Sequence, residues 1–103
     1  MALELHGIDI PQAEISRYCA RNHIRKLALF GSILTNKFRP DSDVDILVEF
    51  EEGCVPGFLG LAQMELELGA MLGRKVDLRT PKELSRYFRD EVIGSSLVQY
   101  ERS

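Results

Sequence analysis

At 103 residues, with 45% hydrophobic and 28% charged side chains, the chain fits one globular domain with a single modest core. Thirteen Lys and Arg against sixteen Asp and Glu give a net charge of −3. That balance excludes a generally basic nucleic-acid-coating protein and a polybasic membrane anchor.

No apolar run approaches the roughly 20 residues of a membrane span, and MALELHGIDIPQ lacks the basic and apolar regions of a secretory signal. Cys19 and Cys54 make neither a CxxC nor a zinc pattern. The expected setting is a reducing cytoplasm, with neither a membrane nor direct nucleic acid as a partner.

The first predicted helix begins near Pro11, with Asp9 as its N-cap. Ile15, Tyr18, Cys19 and Asn22 share one stripe, flanked or opposed by Glu14, Arg17 and Arg21. Ile24 to Phe30 reads as a strand, and its apolar second half predicts cover on both faces. Gly31-Ser32 ends it, one helical turn is expected over Ile33 to Asn36, and NKFRPDS is a turn-rich loop. Asp43 to Phe50 alternates, with Val44, Ile46, Val48 and Phe50 on one face and Asp43, Asp45, Leu47 and Glu49 on the other. Phe58 to Leu72 is the longest helical segment, closed by Gly73. Lys75 to Arg79 is a third short strand. Thr80, Pro81 and Glu83 then carry a capping signature for a helix to about Val92 or Ile93, broken at Gly94-Ser95-Ser96. Leu97 to Tyr100 is a last strand. The expected fold is α/β: a small mixed sheet of three to four strands with helices packed on it, in one domain over 1–103.

Asp43 and Asp45, two apart on a strand, leave one face roughly 7 Å from each other. Asp77 sits on the polar face of the next strand, and all three converge if those strands are neighbours. Clustered carboxylates repel unless cations lie between them, and hard divalent ions, Mg²⁺ above all, suit oxygen donors. Gly31 lets a phosphate approach the backbone, and the following turn, with the Ser32 hydroxyl, offers donors to phosphate oxygens. A phosphate turn ten residues from a carboxylate pair is what nucleotidyl or phosphoryl transfer requires.

The run Gly31-Ser32, ten residues, Asp43-Val44-Asp45 resembles the polymerase-β-like nucleotidyltransferase superfamily. Within it, the short length and Val76-Asp77-Leu78 resemble the minimal nucleotidyltransferases, the MntA-type antitoxins. The resemblance implies that Gly31 and Ser32 bind the triphosphate of ATP, and that Asp43 and Asp45 ligate two Mg²⁺ ions. Asp77 would complete a metal site and ease deprotonation of the acceptor hydroxyl. It also implies transfer of AMP to a tyrosine of a HEPN-domain toxin partner. Leu34 and Asn36 stand where many relatives carry a small residue and Gly. Lys37, with Arg39, is the basic residue left to meet the nucleotide's charge.

Each residue also has a plainer reading. Asp43 and Asp45 could be a solvated strand face, Asp77 an ion-pair partner of Lys75 or Arg79, and Ser32 a helix cap. Glu65, among apolar neighbours, reads as a snorkelling or paired carboxylate. The breadth of the Leu/Met helix leaves room for a homodimer or partner surface. Two alternative functions remain open at this level: a non-catalytic module that neutralises a partner by occupying it, and nucleotidyl transfer to a small molecule. The small size predicts that recognition of the acceptor comes from another chain.

Overall fold

The computed structural model describes residues 3–102. Two short strands, β1 (Leu3–Leu5) and β2 (Ile8–Ile10), form an antiparallel hairpin ahead of α1 (Gln12–Arg21). The hairpin corrects the expectation that the chain opens on a helix. Asp9 is a strand residue opposite Glu4, and Pro11 holds the N-cap position with no side-chain cap. His6 and Gly7 take φ values of 53° and 77°, the positive values that a tight hairpin turn requires.

The main sheet has four strands in the order β5-β4-β3-β6: β3 (Ile24–Phe30), β4 (Val44–Phe50), β5 (Val76–Arg79) and β6 (Leu97–Glu101). β3 lies antiparallel to both β4 and β6, and β5 is parallel to β4. The sheet is therefore mixed, and α2 (Phe58–Leu72) is the crossover that the parallel pair needs.

One sheet face carries the core. Leu27 and Leu29 of β3, Val44, Ile46 and Val48 of β4, and Val76 and Leu78 of β5 pack with Ile15, Tyr18 and Cys19 of α1 and Met64, Leu68 and Leu72 of α2. The hairpin adds Ile8 and Ile10. Helix stripe and strand alternation agree here, because each face buries what its period presents. Gly73 ends α2 at φ 69°, the left-handed C-terminal position read from the sequence.

The opposite face carries Asp45 and Asp77 together with Ala28 and Leu47, which are paired across β3–β4 and buried. Strict alternation grouped Leu47 with the polar side chains; its burial shows that this face is covered farther along the strand.

The third helix differs from expectation. The Thr80–Glu83 capping box forms, but it supports only a 3-10 turn over Pro81–Glu83. The chain turns helical again in α3 (Arg89–Ser95), which runs through Gly94 rather than breaking there. Leu84 is extended (ψ 144°), and the Arg89 guanidinium donates to the carbonyls of Pro81 and Leu84, at 2.7 and 3.2 Å. The turn expected over Ile33 to Asn36 begins earlier, as a 3-10 turn at Gly31–Leu34.

Candidate functional site

Strand register builds the centre of the site. Phe30, Asp45 and Asp77 lie side by side on β3, β4 and β5, each the Cα partner of the next. Immediately after Phe30 the chain turns sharply at Gly31, at φ 79°. A Cβ on Gly31 would overlap Asp45 Oδ2 and lie 3.1 Å from Asp45 Cγ. Glycine is thus required twice, by its backbone angle and by the carboxylate seated against it.

The turn is held by its own polar groups. Thr35 donates to the Ser32 carbonyl through both its N–H (2.9 Å) and its Oγ1 (2.8 Å). Thr35 Oγ1 accepts the Lys37 N–H at 3.1 Å. Lys37 itself is exposed in the loop beyond. Among the described residues it makes no ion pair with the carboxylates.

Arg74 is a positioning residue that sequence reading did not single out. Its NH2 donates to the carbonyls of Ser42 (2.7 Å) and Arg39 (3.1 Å), and its guanidinium lies 4.8 Å from the Phe38 ring centroid. Val44 N–H donates to the Lys75 carbonyl at 2.8 Å. The loop that delivers Asp43 is thereby strapped to the α2–β5 connection. Only the position of Arg74 straight after the helix-ending Gly73 hinted at this.

The Asp45 carboxyl is held above the usual carboxylate range, first by burial, then by the charges of Asp77 and Asp43, against a lowering from Arg79. Asp45 therefore feels the charges of both other predicted carboxylates. Asp77 also pairs with Arg79, whose Nε lies 3.2 Å from Asp77 Oδ1, and Arg79 reaches Glu83 at 3.7 Å. Asp77 raises the Arg79 pKa further. Glu65 accepts the Leu78 N–H at 2.8 Å, so it braces β5 instead of snorkelling.

Among the described residues, no three His, Cys, Asp or Glu side chains form a ready metal cage. The chemistry of the donor set nevertheless fits a hard divalent cation. The oxygens are carboxylates, they repel one another, and a cation placed between them would relieve that repulsion.

Clefts open on either side of β4. One, of about 210 Å³, is lined by Phe58, Leu61, Ala62, Glu65, Asp77 and Arg79. The other, of about 710 Å³, adjoins Gly31 and is walled by Leu34, Phe88 and Val92. No helix is long and apolar enough to cross a membrane among the described residues.

A mixed sheet that presents paired strand carboxylates to a glycine turn is the layout of a phosphoryl- or nucleotidyl-transferring enzyme. The nucleotidyltransferase domain model matches residues 13–98, and the chain belongs to that family. It is 31% identical over 77 residues to a Methanocaldococcus jannaschii protein provisionally named a protein adenylyltransferase, covering 75% of this chain and 81% of that one. It is 46% identical over 55 residues to the protein adenylyltransferase MntA of Thermococcus cleftensis, spanning 53% of this chain and about half (54%) of the relative.

Solved structures agree on the fold. A chain provisionally described as a minimal nucleotidyltransferase superposes with TM-score 0.69 at 32% identity, over 84% of this chain and 86% of that one. A toxin–antitoxin complex with AMP-PNP gives TM-score 0.72 at 19% identity, over 91% and 76%. A complex of a tri-AMPylated Shewanella oneidensis HEPN toxin with its MNT antitoxin gives 0.63 at 20%, over 87% and 69%.

Proposed function

We propose that this nucleotidyltransferase moves AMP from ATP to a hydroxyl, that of a tyrosine, on a HEPN-domain toxin, and so acts as the antitoxin of the pair. The observation that carries the reading is the in-register pairing of Asp45 with Asp77 against the Gly31 turn. Support for the acceptor and the partner comes from the named activity of the MntA relative and from the AMPylated toxin complex that shares the fold.

In this reading Gly31 and Ser32 receive the triphosphate at the turn, with Lys37 free to swing its charge toward it. Asp43, Asp45 and Asp77 would hold two Mg²⁺ ions, and these would supply charge neutralisation at the phosphates. Asp77 lines the smaller cleft, where the acceptor hydroxyl enters. Its carboxylate draws the proton from that hydroxyl as the oxygen bonds to the α-phosphorus and pyrophosphate departs. Asp77 must exchange Arg79 for this role, and Arg79 is then a cation free to face the phosphates.

The Arg79–Asp77 pair favours a second reading, a non-catalytic binding module. Incubating the chain and its HEPN partner with labelled ATP and Mg²⁺ separates the two. AMP on the partner, lost in Asp43→Ala and Asp45→Ala, supports transfer. Neutralisation by the double variant, with no label moved by the wild type, overturns it.

A further inference from the structure

We infer that the larger cleft beside Gly31 is the nucleoside subsite, in which the Phe88 ring stacks on the base of the bound nucleotide. This rests on the proposed placement of the phosphates at the Gly31–Ser32 turn. Gly31 is part of the cleft's lining, so a nucleotide whose phosphates sit on the turn has its nucleoside at this opening.

The space is adequate: about 710 Å³, against about 210 Å³ for the cleft on the Asp77 side. The smaller cleft has room for one side chain. Because β3 and β5 flank β4, the two clefts lie on opposite sides of the carboxylate strand. Nucleoside and acceptor therefore have separate openings, which leaves the line through the reacting phosphorus to the acceptor oxygen and the departing pyrophosphate, as in-line displacement demands.

The lining suits a base. Phe88 is 61% exposed, so its ring is open to a ligand in the cleft it lines. Leu34 and Val92 supply further apolar wall, while Thr35, Ser95 and Glu91 line the same cleft with polar groups. An aromatic face with a few polar groups around it is the general means of holding a base, since every base has a π-face to stack. The Glu91 carboxylate accepts hydrogen bonds only, so it favours a base that offers an amino group.

The test uses the full chain and reads binding, not turnover. The chain has no tryptophan, so Phe88→Trp introduces a single emitter at the stacking position. Titration with Mg²⁺ and a non-hydrolysable ATP analogue should quench that emission and leave affinity within about threefold of wild type by calorimetry. Phe88→Ala should weaken the analogue about 5- to 150-fold, the range for losing one base–aromatic stack, and leave inorganic tripolyphosphate binding unchanged. An unchanged melting curve for Phe88→Ala shows that the fold is intact.

Equal analogue affinity in wild type and Phe88→Ala, or no quenching in Phe88→Trp while calorimetry shows binding, overturns the inference. Wild-type chain that binds neither the analogue nor tripolyphosphate instead overturns the underlying placement of the phosphates at the Gly31 turn.

Discussion

The Asp45 carboxylate occupies the space a Cβ on Gly31 would need, and Gly31→Ala tests it. Two costs add. A non-glycine residue at φ 79° carries about 1–2 kcal/mol of left-handed strain. A Cβ overlapping Asp45 Oδ2 forces that carboxylate out of its seat, at about 1–3 kcal/mol more. Gly53 supplies the internal control: its φ is 76° and its Cβ would meet nothing within 4 Å. Gly53→Ala should therefore cost only the strain, about 1–2 kcal/mol, or roughly 4–16 °C in Tm for a domain of this size.

Gly31→Ala should cost about 2–5 kcal/mol. Pairing it with Asp45→Ala removes Oδ2 and Cγ and leaves a 3.3 Å contact with the Asp45 Cβ, tight but relieved by a shift of a few tenths of an ångström. The double variant should recover at least about 1 kcal/mol relative to additivity. Chemical denaturation of the four single and double proteins measures this. Equal losses for Gly31→Ala and Gly53→Ala, or strict additivity with Asp45→Ala, would refute the packing of glycine against carboxylate.

Asp45 has a raised pKa, so between the ordinary 3.8 and the raised value the native state holds a proton that the unfolded chain has released. Stability should then fall as pH rises from the ordinary 3.8 through the raised value. Asp45→Asn should remove that slope and melt higher than wild type at pH 7, measured by Tm across pH 4–8. Mg²⁺ should raise the Tm of wild type but not of a variant with both Asp43→Asn and Asp45→Asn; equal shifts in the two would exclude these carboxylates as ligands. Arg79→Ala should tighten Mg²⁺ binding in calorimetry, because the guanidinium competes for Asp77; weaker binding would show that Arg79 supports the site. Burial pushes the Cys19 thiol up to about 12, so native protein should alkylate at the partly exposed Cys54 and at Cys19 only on unfolding, as peptide mass mapping would show.

Much of this molecule was legible because its periodicities are long or its turn chemistry is forced. Phe58–Leu72 has four turns of apolar stripe and a glycine that must end it, and the helix has those bounds. The meeting of Asp45 and Asp77 hung on their strands being neighbours, and the parallel β4–β5 pair, joined by a crossover helix, meets that condition. The hairpin at 3–10 was hidden because three-residue strands show too little alternation to stand out, and its His6-Gly7 turn lacks the usual Asn-Gly or Asp-Gly. The segment after Thr80 misled because a capping box certifies a start and not a length. Arg89 takes up the carbonyls of Pro81 and Leu84, a tertiary use of a side chain that no local pattern contains. The Arg74 strap escaped for the same reason: its partners stand 32 and 35 residues away.

The pairing of β6 with β3 sets an order of assembly. Leu27 lies opposite Tyr100, whereas Leu27 also lies opposite Val48, a far shorter separation along the chain. Closing the longer loop costs more entropy, so the fourth strand should join last. Asp43, Asp45 and Asp77 belong to the part that closes early, while α3, which walls the larger cleft, leads directly into β6. A chain emerging from the ribosome would thus gather its carboxylates before the larger cleft is complete. In the mature protein, amide exchange should find α3 and β6 the first to open.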